Sequence, residues 1–194
     1  NPIVLEGFFQ DVRAFLYQDI KKDFYLGEYT HKKAKNLASQ IKQDDLCLNI
    51  RRADYADGSD TSHHHGFLGQ QYVNAAIKNF TSIDKLYIFS DEPDWCAANI
   101  KTPFPTVVVD HSYSGQKFSD YLRLMTQFDN IIIPNSTFAW WAAIFALLRN
   151  HNARVVCPDE CLWYTNSPGL ATSLLKIDDE SFHNFKKIKR GELV

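Results

Sequence analysis

Long apolar runs are scarce in this sequence. The most hydrophobic one, FAWWAAIFALL at 138–148, has 11 residues, against the roughly 20 that a helix needs to cross a bilayer. It reads as a buried helix. Cysteine is equally sparse: the four residues, at 47, 96, 157 and 161, are dispersed among apolar neighbours, which argues for buried free thiols over a redox or disulfide role. Cys157 and Cys161 stand close together, yet no second pair or nearby histidine cluster completes a zinc set. Charge of one sign is not in excess either. The 21 Lys and Arg against 23 Asp and Glu leave a net charge of −2, which argues against a broad nucleic-acid surface and keeps sugars, nucleotides and proteins as partners. No signal-peptide pattern is read at the start, and no internal repeat or low-complexity linker divides the chain.

What is present is an ordinary folding composition, 45% hydrophobic and 23% charged, enough for one sizeable domain. From residue 44 onward short apolar segments alternate with longer helical ones. LCLNI (46–50), KLYIF (85–89), TVVVD (106–110), NIIIP (130–134) and ARVVC (153–157) read as strands, and the apolar runs among them as interior strands. FLGQQYVNAAIKNF (67–80), EPDWCAANI (92–100), KFSDYLRLMTQF (117–128) and TFAWWAAIFALLRN (137–150) read as the helices between them. The repeated βα order predicts an α/β fold with a mainly parallel sheet covered on both faces. In the helix at 117–128, the spacing puts Phe118, Tyr121, Leu122, Met125 and Phe128 on one face and turns Lys117, Asp120 and Arg123 toward water or a cleft.

The flanks are less regular. LEGFFQ reads as a short strand or turn, VRAFLYQDIKKDF and THKKAKNLASQIKQ as helical. His63, His64 and His65 follow ADGSDTS and read as an exposed polar loop rather than a transition-metal site. The tail from SLLKIDDESF onward either closes the domain or, in its final KKIKRGELV, stays mobile.

In an open α/β sheet the loops leaving the C-terminal ends of the strands form the ligand crevice. NIRRADY, FSDEPDW, DHSYSGQK and PNSTF then converge. In extended chain Arg51 and Arg52 point to opposite faces, so one can address the crevice while the other pairs within the scaffold. A guanidinium there is suited to adjacent phosphate oxygens, and an Arg–Asp network with Asp54 is the structural alternative. Asp91, Glu92 and Asp94 can orient a sugar hydroxyl, hold Arg51, act as a base, or cap the next helix. Asn135, Ser136 or Thr137 can cap the helix that follows, whose backbone donors can receive an anionic oxygen. Phe138 can line an apolar ligand surface, and at least one of Trp140 and Trp141 fills the core.

On NIRRADY, FSDEPDW and NIIIPNSTFAWWAA, with LEGFF near the start, the sequence resembles the inverting α-1,2-fucosyltransferases of bacterial-type glycosyltransferase family 11. The ordered set spans nearly the whole chain. The resemblance implies a GT-B glycosyltransferase of which this chain is the Rossmann-like C-terminal half, with 1–43 a lead-in or inter-domain segment and 44–194 the domain that binds GDP-fucose. The implied reaction transfers L-fucose from GDP-β-L-fucose, with inversion, to a galactose hydroxyl of a glycan acceptor. By resemblance Arg51 holds the phosphates and Asp91 belongs to the donor-side active region, the two carrying catalysis. Asn49, Arg52, Ser136, Thr137 and Phe138 complete the donor site. No metal, cofactor or nucleic acid is expected. The family's preceding domain, with its glycine-rich segment, has no counterpart in the chain and is expected as a separate or missing part. Cytoplasmic location follows, with peripheral association at the membrane surface as a variant. The alternative function is a catalytically inactive GDP-sugar-binding regulatory module. Two positions depart from the family pattern: Asn49 stands where His is common, and Ala53 where Gly would give access to positive φ.

Overall fold

The computed structural model describes residues 24–163 and 185–193. Among them six strands form one sheet: β1 (Leu46–Ile50), β2 (Leu86–Ser90), β3 (Thr106–Val109), β4 (Asn130–Ile132), β5 (Arg154–Pro158) and β6 (Phe185–Ile188). Their spatial order is β3-β2-β1-β4-β5-β6 and every neighbouring pair is parallel. This is the Rossmann order, with the chain reversing direction across the sheet between β1 and β4. The helices are α1 (Lys32–Ala38), α2 (Asp60–His64), α3 (Gly69–Ile77), α4 (Pro93–Asn99), α5 (Ser119–Met125), α6 (Thr137–Arg149) and α7 (Glu160–Trp163).

Strand alternation builds two cores. Cys47, Tyr87, Phe89, Ile131 and Val155 point to one face, where they pack with Leu124, Met125, Trp140, Ile144 and Leu147 of α5 and α6. Leu46, Leu48, Leu86, Ile88, Ile132 and Val156 point to the other, against Tyr72, Val73, Ala76 and Cys96 of α3 and α4. Because both faces are covered, β1 and β2 can be buried along their whole length, which is why they read as nearly unbroken apolar runs. The alanines of α6 at 139, 142, 143 and 146 are all fully buried. Their small side chains let this helix lie close on the sheet, while Trp140 fills the adjoining space.

Several expectations are corrected. TVVV forms the edge strand β3, exposed along its first half, despite its unbroken apolar character. Of the two readings of the tail, closure holds for Phe185–Ile188, which forms β6 paired with β5, while 173–184 lies outside the described residues. The ADGSDTSHHH segment contains the short helix α2, capped by the Ser59 side chain, which accepts from the Ser62 amide. The segments at 5–10 and 12–23 lie outside the described residues.

The facing of α5 also differs. Asp120 is fully buried and Arg123 nearly so. Asp120 accepts the backbone N–H groups of Thr30 (3.0 Å) and His31 (3.0 Å) and the Thr30 hydroxyl (2.8 Å). Arg123 pairs with Asp120 at 3.0 Å and donates to the Leu26 carbonyl. The expected polar face at Asp120 and Arg123 is therefore covered by residues 26–31, which partner the Asp120 carboxylate and one end of the guanidinium, while Arg123 Nε has no hydrogen-bond partner among the described residues. No helix among the described residues is long and apolar enough to cross a membrane.

Candidate functional site

A cavity of about 520 Å³ opens at the C-terminal ends of β1, β2 and β4, at the reversal of strand order. Asn49, Ile50, Arg51, Asp54 and Tyr55 line it from the chain leaving β1. Ser90 and Asp91 line it from β2, and Ser136, Thr137 and Phe138 from the start of α6. Thr61 and His65 bound it on one side, Lys117, Phe118 and Tyr121 on the other.

Arg51 is the cation at the centre of this wall. Its guanidinium lies 2.7 Å from Asp54 Oδ1 and 3.1 Å from Asp91 Oδ2, beside the Tyr55 ring. Asp91 also accepts the backbone N–H groups of Arg52 (3.0 Å) and Ala53 (3.1 Å). One carboxylate thus fixes both the loop and the arginine it carries. The structural network foreseen with Asp54 and the crevice-facing arginine are the same residue.

Arg52 turns away. It does not line the cavity: its Nη1 reaches Glu92 at 2.5 Å, and its guanidinium sits 4.4 Å from the Trp95 ring centroid. The two arginines face opposite ways just past the end of β1, where Arg52 (φ −130°, ψ −50°) has already left extended backbone. Ala53 starts a turn of 3₁₀ helix and has no positive φ, so the absent glycine withholds nothing this loop uses. Asn49 is buried and donates from Nδ2 to the Phe89 carbonyl at 3.1 Å, tying β1 to β2 beneath the cavity.

At the entry to α6, Ser136 occupies the N-cap position without a side-chain capping bond. Its hydroxyl and that of Thr137 stand at the positive end of a 13-residue helix. Asn135 has another task. Its Nδ2 lies within 2.8–3.4 Å of the carbonyls of His65, Gly66, Leu162 and Trp163, and its own carbonyl accepts from the Tyr55 hydroxyl at 3.0 Å. The Tyr55 ring stacks on His65, centroids 4.8 Å apart and nearly parallel. Burial lowers the His65 pKa, partly opposed by a hydrogen bond with the Trp163 backbone. The ring is therefore neutral near pH 7.

Sequence reasoning placed the NIRRADY loop at the crevice without singling out Tyr55, and it missed Thr61 and His65 because the polar stretch that follows looks like solvent-exposed loop. The signal was topological: a connection leaving β1 must pass over the crevice. Phe118 and Tyr121 were assigned to the core by spacing. Tyr121 is indeed buried, its phenol raised by desolvation, but Phe118 is 42% exposed beside the cavity. Cys47, Cys96 and Cys157 are buried thiols, Cys157 pushed up to about 12 by burial, and Cys161 is exposed. Among the described residues no group of three or more His, Cys, Asp or Glu is arranged to hold a metal ion.

Comparison with known proteins gives a consistent set of relatives. The profile of glycosyl transferase family 11 matches residues 2–156. The chain is 26% identical to an alpha-1,2-colitosyltransferase of Escherichia coli over 143 residues, 71% of this chain and 49% of that protein. It is 27% identical over 144 residues to galactoside alpha-(1,2)-fucosyltransferase 1 of Rattus norvegicus, 68% of this chain and 38% of the relative. The O-antigen biosynthesis glycosyltransferase WbnK of Escherichia coli is 32% identical over 99 residues, 50% of this chain and 32% of that protein. The matches thus cover between about a third and a half of the relatives' length. No solved structure matches the chain.

Proposed function

The chain belongs to glycosyl transferase family 11, and from that premise we propose that its cavity binds GDP-β-L-fucose for inverting transfer to a galactose hydroxyl, forming an α-1,2 linkage. The observation that carries this reading is the joint placement of Arg51 and the start of α6 on one cavity at the β1–β4 reversal. A guanidinium and a helix N-terminus facing the same space favour a diphosphate, whose negative charge grows as the bond to the sugar breaks. In the reaction the acceptor hydroxyl oxygen bonds to the anomeric carbon as the carbon–phosphate-oxygen bond breaks, and the hydroxyl proton is released to the medium. The electron pair leaves with GDP, and the β donor becomes an α product.

Arg51 is held ready by Asp54 and Asp91, so it meets the ligand in a fixed orientation, which lowers the ordering cost of binding. Asp91 has its oxygens committed to two backbone amides and to Arg51, which fits positioning of the phosphate-binding loop. Asn49 and Phe138 shape the cavity floor and wall in this reading, Ser136 and Thr137 supply hydroxyls to the phosphates, and the reaction proceeds without a metal. Arg52 supports the loop from outside.

A colitosyl donor is the second reading, favoured by the relative of that name. Calorimetry with GDP and UDP tests the donor site, with preference for GDP expected. Mass spectrometry of reactions with terminal-galactose acceptors, run with this chain and with a chain extended at its N-terminal side, tests transfer, and product mass separates fucose from colitose. Selective GDP binding without transfer by either chain would favour a regulatory module. Absence of nucleotide binding by the folded chain would overturn the proposal.

A further inference from the structure

We propose that Lys117 is a second diphosphate-binding cation of the cavity, delivered there by a left-handed turn; this rests on the donor-site reading above. Charge supplies the first observation. Arg51 already faces two carboxylates, Asp54 and Asp91. Among the described residues the charged side chains lining the cavity are these three and Lys117, so without Lys117 this wall would carry an excess of negative charge toward an anionic ligand. Lys117 itself makes no ion pair with any described residue. It is the cavity cation whose charge remains uncompensated.

Backbone geometry supplies the second. Lys117 (φ 49°) and Phe118 (φ 61°) are consecutive, and among the described residues they are the non-glycine positions with positive φ. L side chains avoid this region, and two in succession persist only where surrounding contacts impose them. Those contacts are present. The amides of Asp120 and Tyr121 both donate to the Ser114 carbonyl, at 2.9 and 3.2 Å. Gly115, at φ +68°, lies so close to Asp120 that an added Cβ would come within 2.7 Å of its Cγ. Asp120 in turn is anchored by Thr30 and His31.

The turn alone does not explain the lysine. Glycine would occupy φ 49° with less strain. An ammonium at the cavity wall does explain it, because the conformation reverses the chain just before α5 and sets residues 117 and 118 on the cavity. Phe118, edge-on to His111 at 5.5 Å, buttresses the same wall.

The test compares wild type, Lys117→Gly and Lys117→Arg by calorimetry with GDP, UDP and inorganic pyrophosphate at low and high salt, with thermal melts alongside. Lys117→Gly is expected to melt no lower than wild type, yet to bind GDP and pyrophosphate about five- to twentyfold more weakly and with less salt dependence. Lys117→Arg is expected to restore most of the binding. Unchanged affinity in Lys117→Gly would overturn the proposal. So would a parallel loss of melting temperature and binding that Arg does not restore, which would mark a structural lysine. Equal loss of GDP and UDP binding, with no wild-type preference between them, would support the cation while rejecting the guanine-nucleotide donor. Failure of the folded wild type to bind any of the three would overturn both.

Discussion

Arg51 Nη1 lies 3.1 Å from Asp91 Oδ2, across the ends of two adjacent parallel strands. The pair joins the loop leaving β1 to the loop leaving β2, and Asp91 secures the same junction by accepting two backbone amides from residues 52 and 53. A cation held this way is oriented before a ligand arrives. It also shares its charge with the carboxylates that hold it, which makes the rest of the cavity's electrostatics decisive.

Removing that guanidinium is expected to weaken GDP binding while preserving the fold. A charge-assisted contact of this type contributes about 1.5–3 kcal/mol, so Arg51→Ala should lose roughly one to two orders of magnitude in affinity. Calorimetry measures the loss and circular dichroism checks the fold. Native structure with unchanged affinity would remove Arg51 from the donor site.

The neighbouring arginine should behave oppositely. Arg52 pairs with Glu92 and covers Trp95 outside the cavity, so Arg52→Ala should cost about 1 kcal/mol of stability and alter tryptophan fluorescence. Its effect on GDP affinity is expected to stay within about threefold, since the residue touches no ligand surface. A loss matching that of Arg51→Ala would show that the two guanidinia act together.

Asp120 carries a pH signature. Burial alone would raise its pKa, but hydrogen bonds from Thr30 and His31 prevail and hold the carboxyl below its usual value. With the folded pKa below the unfolded one, its stabilisation is fully present above the unfolded value of about 4 and is lost as pH falls through the folded pKa. Asp120→Asn should therefore destabilise the chain by about 2–4 kcal/mol near neutrality. The gap from wild type should narrow progressively below about pH 4. Urea melts across that range measure it, and a constant gap would contradict the assignment.

Gly115 and Asp120 should couple. At φ +68° and with a Cβ directed into Asp120, Gly115→Ala is expected to cost about 1–3 kcal/mol. In an Asp120→Ala background the approaches to Cγ and Oδ2 disappear, while the 2.9 Å approach to Cβ and the backbone penalty of about 1 kcal/mol remain, so Gly115→Ala should cost less there. A double-mutant cycle that proved additive would mean that the close approach is relieved in solution.

The sequence by itself determined the alternation of strands and helices from residue 44 onward, the parallel sheet with two covered faces, and the order of loops at its C-terminal edge. These follow from local quantities: apolar runs, periodicity, and the short connections that make sequential βα units neighbours. It also marked Arg51, Asp91 and the NSTF corner, because charged or polar groups at strand ends and helix starts stand out against apolar flanks. Tertiary structure decided the rest. That Arg51 faces the cavity and Arg52 the scaffold depends on which side of the sheet the crevice opens. TVVV became an edge strand because nothing among the described residues pairs beyond it. Asp120 and Arg123 became buried because a segment ninety residues earlier in sequence supplies their partners. Lys117, which spacing already turned toward water or a cleft, is set on the cavity by two left-handed residues that no periodicity shows. Periodicity assumes a regular helix, and it loses the facing of a side chain wherever remote contacts force the backbone out of one.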